Sequence, residues 1–365
     1  MQKRNLSRSS RRTFLTAGGL SALGLTLPQL LQSRSAEAAN PAMAAARTAQ
    51  RGQAKSCILL FGTGGPSQHE TFDPKPDAGS GIAGEFASIS TTVPGTRICE
   101  HLPMMARQAQ RYAIIRSTYH GSGTHGVGVH YNMTGHEPSP RASGEPQLSR
   151  QDPPCIGGAI RQLRGDRNGL PGAVHLPARI GDQNNFQWGG QHAGYLGPKF
   201  DPLMLIDEKW RPGTLPPGFN PPKDVSRQRF AQRTALLNSL ESKRPRPTAG
   251  EVDFVRIHHQ AASIMDKPTV WEAFLIEKET PATIQRYGDN KFGRSCLVAR
   301  RLVEAGVGLV TVPWMYLHST KNFDTHKDHF NLMKDLLLHG LILEHFAGQT
   351  LIPIQKMVKM NHLHM

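Results

Sequence analysis

The sequence predicts an α/β protein with a largely parallel sheet and helices on both of its faces. Three observations point there. Short apolar runs bounded by turns recur along the chain: "CILLF" (57–61), "YAIIRS" (112–117), "GAVHLP" (172–177) and "VGLVTV" (307–312). Segments of helical spacing lie between them, and this alternation favours parallel strands joined by helical crossovers. The length of 365 residues, with 38% hydrophobic and 19% charged positions, suits one large α/β domain or two smaller ones.

At the start of the chain, "SRRTFL" (10–15) follows a basic stretch and precedes an apolar run from Thr16 to Leu31, and "AEAAN" offers a small-residue cleavage site near Ala38. This pattern resembles a twin-arginine export signal over residues 1–38. It is followed by a small-residue linker over 39–55. The apolar run is too short and too rich in glycine for a membrane span, and no stable span is expected once the signal is removed. Export by the twin-arginine route places the mature protein in the periplasm or outside the cell. Such substrates cross the membrane folded, which allows a cofactor to be loaded beforehand.

The net charge of +15 is partly a property of this segment, where six Lys/Arg face one Glu; about +10 remains, spread along the chain. No basic run interleaved with aromatics occurs, which argues against a nucleic-acid partner. The cysteines, at 57, 99, 155 and 296, show neither a CxxC pair nor a disulfide framework. Cys57, opening an apolar run, reads as a buried strand residue.

The run 57–61 is expected to be the first strand, and it ends in "GTGGPSQHETFDPKP", which holds Ser67, His69, Glu70 and Asp73. In parallel sheets chemistry gathers beyond the strand C-termini. A glycine-rich turn there can cradle phosphate or sulfate, but its spacing is neither a Walker loop nor a dinucleotide fingerprint, and a tight structural turn explains it equally well. Next, "HLPMMARQAQR" (101–111) reads as a helix and 112–116 as a strand.

"STYHGSGTHGVGVHYNMTGHEPS" (117–139) then places His120, His125, His130 and His136 within a short glycine-rich segment, and imidazole is the usual nitrogen ligand of zinc-class metals. His125 and His130 are five apart, so sharing a metal requires loop geometry. "CIGGAIRQL" (155–163) reads as a helix, 172–176 as a strand, and 224–290 as mainly helical, forming an insertion or outer layer. After the strand 307–312 comes "NFDTHKDHF" (322–330). Asp324 and His326 alternate, so in an extended segment they point to one side as two ligands of one ion would; alternatively, Asp324 or Thr325 caps the following helix.

Six ordered segments carry a resemblance: "SCILLFGTGGPSQHETFDPKPDAG", "GTRICEHLPMMARQAQRYAIIRSTYH", "THGVGVHYNMTG", "GGQHAGYLGPKFDPL", "ARRLVEAGVGLVTV" and "FDTHKDHF". In this order they resemble the exported bacterial proteins of domain-of-unknown-function family 1501, frequent in planctomycete-type bacteria. That family is similar to the alkaline phosphatase and sulfatase superfamily of metal-dependent hydrolases. The resemblance implies an alkaline phosphatase-like three-layer fold over 56–338 and a sulfate- or phosphate-ester substrate. It also implies a divalent metal, Zn, Ca or Mg, held by Glu70, Asp73, His125, His130, Asp324 and His326. Ser122 and Thr124 are candidate nucleophiles. The sulfatase nucleophile pattern is not reproduced, since His125 stands at the nucleophile position and Val129 where an arginine belongs.

Relatives continue after the "DTH" segment to a strand ending in Glu-Phe-Gly-Arg and then an Asp-His motif, neither of which occurs here. The expectation is therefore a domain lacking its C-terminal strands, an atypical tail over 339–365, an incomplete metal site and no ester turnover. An active metal-dependent hydrolase is the alternative.

Overall fold

The computed structural model describes residues 54–139, 148–167, 169–181, 188–207, 209–216, 219, 225–243, 268–314, 323, 325 and 328–339. The export signal, the linker up to residue 53, Asp324, His326 and the tail from residue 340 lie outside the described residues. The chain divides into two units, Met1–Lys55 and Ser56–Met365, and every strand and helix of the described residues belongs to the second.

Its centre is a four-stranded parallel sheet, in the order β1 (Cys57–Gly62), β6 (Leu309–Trp314), β4 (Ala173–His175), β5 (Leu203–Met204). The expected strands at 57–61, 172–176 and 307–312 therefore share one sheet. A separate antiparallel pair, β2 (Ser88–Ser90) and β3 (Arg97–Cys99), adds Ile89, Ile98 and Cys99 to the same apolar core.

Strand periodicity sorts the residues of the main sheet onto two faces. Ile58 pairs with Val310, Val310 with Val174 and Val174 with Leu203, and this row enters the larger apolar core. Leu60, Val312 and Trp314 follow on the same face. Leu59 and Phe61 point the other way, into a second core with Val129, Met133, Ile180 and Trp188. The sheet is thus covered on both faces, as an all-parallel sheet requires.

The helix α8 (Lys291–Glu304) covers the first face. Phe292, Ser295, Cys296, Ala299 and Leu302 recur at helical spacing and are all buried. Asn290 starts this helix, its side chain accepting a hydrogen bond from the Gly293 amide at 2.9 Å. Burial of Leu297, Val298 and Leu302 contributes roughly 1.5–3 kcal/mol each.

The helices α3 (His125–Thr134) and α4 (Ile156–Arg164) lie on the opposite face. Gly157 lets α4 sit close, because a Cβ there would meet Pro202 at 2.8 Å and Ala173 at 3.3 Å. Shorter helices, α1 (Ser80–Ala83), α2 (Pro103–Arg107), α6 (Pro268–Phe274) and α7 (Pro281–Tyr287), complete the periphery. The helix α5 (Arg227–Ser242) is largely exposed, with Leu236 and Leu240 open to solvent. Only this part of 224–290 behaves as the expected outer layer: Val270, Phe274, Ile276 and Tyr287 are buried in the main core, and 244–267 lie outside the described residues. The helix α9 (His329–His339) closes the described chain.

Two expectations are corrected. Residues 112–116 form no strand: Ile115 is 45% exposed and only Tyr112 and Ile114 pack inward. The alternation is that of a strand, but pairing among the described residues goes no further than a single bridge at Tyr112, whose hydroxyl also donates to the Met105 carbonyl at 3.1 Å. Cys57, expected to be buried, is exposed, as it stands at the amino end of an outermost strand. All four cysteines are free.

One buried polar group carries a pH consequence. His175, at the end of β4, donates its Nε2 proton to the Ala178 carbonyl at 2.7 Å and is essentially inaccessible. Burial pushes its pKa down from 6.5 to about 4, with Arg179 adding to the shift. Above pH 6.5 the imidazole is neutral in both folded and unfolded chains. As pH falls from about 6.5 to about 4, the unfolded chain takes up a proton that the folded chain refuses, so stability is lost in that window, by up to about 3 kcal/mol. The urea midpoint of His175→Gln is expected to fall less between pH 7 and pH 4.5 than that of the wild type.

Candidate metal centre

Because every strand of the main sheet points the same way, their C-terminal loops share one edge. The turn after β1 is the first of these loops. Gly64 and Gly65 adopt φ of 91° and 74°, a region closed to most side chains, and let the chain reverse directly after Thr63. The turn is then stitched by its own backbone. Gln68 O accepts from the amides of Thr71 (3.2 Å) and Asp73 (2.9 Å), Thr71 Oγ1 donates to Ser67 O (2.7 Å), and Cys99 N donates to Thr71 O (2.8 Å).

This geometry buries Glu70, which is 4% exposed, and Asp73. The two carboxylates fare differently. Asp73 is held by two cations, Lys75 Nζ at 2.7 Å on one oxygen and Arg116 Nε at 3.0 Å on the other. A metal at Asp73 would have to displace them. Glu70 Oε2 is buried and has no hydrogen-bond partner among the described residues. Its other oxygen lies where Gly84, at φ 72°, leaves room: a Cβ on that residue would stand 2.6 Å from Oε1.

The segment after β6 docks onto this turn. Phe323 N donates to Thr63 O at 3.1 Å, and the Phe323 ring packs at 5.8 Å from that of Trp314. The chain then turns through Asp328, whose φ of 54° is unusual for a residue with a side chain, into α9. Phe330 meets Phe86 edge-on at 6.0 Å and seats the helix start. This brings His329 Nε2 to 3.4 Å from Glu70 Oε2. The other ring nitrogen, Nδ1, is hydrogen bonded to Thr325 Oγ1. Of the two ligands expected in this segment, Asp324 and His326 flank Thr325 but lie outside the described residues.

The histidine segment is arranged separately. His130 is fully buried; its Nδ1 donates to His136 O at 3.0 Å, which leaves Nε2 facing Asp152 Oδ2 at 3.8 Å. His125 stacks on Trp188, with ring centroids 5.8 Å apart. His120 stacks on Tyr131 at 5.7 Å and accepts from Ser122 N. Ser122 Oγ accepts from Thr124 N at 3.2 Å, and His69 lies against Gln68. Among the described residues no group of three or more His, Cys, Asp and Glu side chains is placed to hold a metal ion. The candidates form two carboxylate–imidazole pairs instead, Glu70 with His329 and Asp152 with His130.

Asp152 is the partner that residue patterns miss: it sits in a polar loop with no motif around it, whereas His329 stands in a run of Asp and His that are all typical metal ligands. Gln191 ties Ile180 to Trp188: its side-chain amide accepts from Ile180 N (2.7 Å) and donates to Ile180 O (2.6 Å) and Trp188 O (2.8 Å).

No helix among the described residues is long and apolar enough to cross a membrane. A family model described as "Protein of unknown function (DUF1501)" matches residues 54–341. No curated protein and no solved structure matches the chain.

The buried pair of His130 and Asp152 generates a stability prediction. Asp152→Ala removes the carboxylate facing a buried imidazole and is expected to destabilise the protein by about 3 kcal/mol, as is typical of breaking a buried pair. Asp152→Asn, which keeps shape and hydrogen-bonding capacity, is expected to cost less. Urea unfolding midpoints of the two variants measure the difference.

Proposed function

The chain belongs to the DUF1501 family of proteins of unknown function, and on that premise we propose that it is an exported, planctomycete-type member whose sulfatase- and alkaline phosphatase-like fold binds a divalent metal at the carboxyl edge of the sheet. The observation that carries this reading is the docking of the "FDTHKDHF" segment on the turn after β1, through Phe323 N to Thr63 O at 3.1 Å. It sets Phe323 against the turn that carries Glu70, whose Oε2 is buried with no hydrogen-bond partner among the described residues.

Carboxylate oxygen and imidazole nitrogen form a donor set suited to zinc-class ions, and a carboxylate-rich set also takes Ca or Mg. Asp73, His125 and His130 enter the proposed ligand list by resemblance; Asp73 joins only by exchanging its cationic partners, and His125 and His130 stand apart from Glu70, against Trp188 and Asp152. A bound divalent ion would polarise a sulfate or phosphate ester. Lys75 and Arg116, both partly exposed around Asp73, supply positive charge near the turn for such an anion. Nucleic acid is not a partner in this reading.

Binding without turnover is favoured over hydrolysis by the donor arrangement. A two-metal site needs roughly six protein ligands with oriented outer partners, and the described residues bring candidate ligands together only in pairs. Metal-dependent hydrolysis is the second reading, favoured by the hydroxyl of Thr63, which is buried at the same turn without a hydrogen-bond partner among the described residues.

The full chain, stripped with a chelator and then given Zn2+ at 100 times its Kd, is expected to gain about 2.7 kcal/mol of stability in thermal or urea unfolding. Aryl sulfate and aryl phosphate are expected to hydrolyse no faster than in metal-containing buffer. Absence of any metal-dependent stabilisation, with Zn2+, Ca2+ or Mg2+, would reject the binding reading. Metal-dependent turnover lost in Glu70→Gln would establish the hydrolase.

A further inference from the structure

We propose that His329 is itself a metal ligand, forming with Glu70 one edge of the coordination sphere, and that Thr325 is the positioning residue that selects which imidazole nitrogen faces the metal. This rests on the proposed metal binding and adds two residues to it.

The separation of the two donor atoms is the first support. A charge-assisted hydrogen bond between imidazolium and carboxylate closes to about 2.7–2.9 Å. Glu70 Oε2 and His329 Nε2 stand 3.4 Å apart. Two donors at the usual zinc distances of about 2.0–2.2 Å, held at a tetrahedral angle, are separated by roughly 3.3–3.5 Å. The observed spacing is long for a direct bond and right for two ligands of one ion.

Three further features agree. Glu70 is 4% exposed, yet Oε2 has no hydrogen-bond partner among the described residues, and such an oxygen is costly to bury unless a cation neutralises it. Thr325 Oγ1 bonds His329 Nδ1. When the hydroxyl accepts the Nδ1 proton, the lone pair of Nε2 is turned toward Glu70, which is how outer partners of metal-bound imidazoles act. The side chain of His329 is 35% exposed, leaving an entry path from solvent.

The test uses the full chain, chelator-stripped, with Zn2+ titrated in a calorimeter and Co2+ as a spectroscopic substitute. Glu70→Gln and His329→Ala are each expected to weaken Zn2+ binding by about 100-fold or more and to change the visible Co2+ band, since a ligand contributes at least as much as an outer partner. Thr325→Val is expected to weaken it by about 10- to 100-fold, with Thr325→Ser restoring most of the loss. Circular dichroism of the metal-free variants, with His329→Gln as a gentler substitution, separates loss of a ligand from loss of fold.

Unchanged Zn2+ affinity and Co2+ spectrum in folded His329→Ala or His329→Gln, with loss in His326→Ala, would overturn this assignment and leave the metal-binding reading standing. Failure of the wild-type chain to bind either ion would overturn both.

Discussion

The pairing of β6 with both β1 and β4 is the constraint on which the remaining structure depends. A parallel strand cannot be reached by a hairpin, so each join needs a crossover that leaves one edge of the sheet and returns to the other. All strand ends then fall together, and so do the loops attached to them. Thr63, Glu70, Phe323, Thr325 and His329 come from opposite ends of the sequence and meet because β1 and β6 are neighbours in register, Gly62 beside Trp314. The register is pinned at the other edge too, where the Gly172 carbonyl accepts from the amides of both Gly308 and Leu309 at 3.1 Å.

Much of this was legible in the residues. Apolar runs rich in Ile, Leu and Val give three of the four sheet strands, and the turn chemistry after the first of them points to Glu70. The segment 112–116 shows where such reading stops. Its alternation is genuine, since Tyr112 and Ile114 pack inward, but a strand also needs a continuous ladder, and periodicity says nothing about how far pairing extends. β5, only two residues long, carries too little pattern to register at all. The pairing of Glu70 with His329 rather than with another nearby histidine depends on the backbone at Asp328, where a positive φ aims the start of α9 at the turn. No local composition encodes that direction.

Polar burial divides the molecule in a similar way. On the α8 side the core is almost wholly apolar, and regular helix and strand ladders satisfy its backbone. On the α3 side, long loops replace regular structure, so side chains take over the work of backbone pairing. Gln191 clamps Ile180 and Trp188, Asp201 accepts from Ala193 N and from Arg150, and His175 reaches Ala178. Each is a group whose loss strands a buried donor or acceptor, so this half of the protein tolerates substitution less well than its loop content suggests.

The order of the strands also shapes how the chain is made. Among the described residues β1 has one sheet neighbour, β6, and about 250 residues separate the two in sequence. At ordinary synthesis rates of about 5–20 residues per second, the ribosome takes roughly 12–50 seconds to produce the partner. For that interval "CILLF" is an apolar strand with both edges open, on a chain that is still growing. A nascent polypeptide with such a topology carries its first strand exposed to pairing with the wrong chain until the central one arrives.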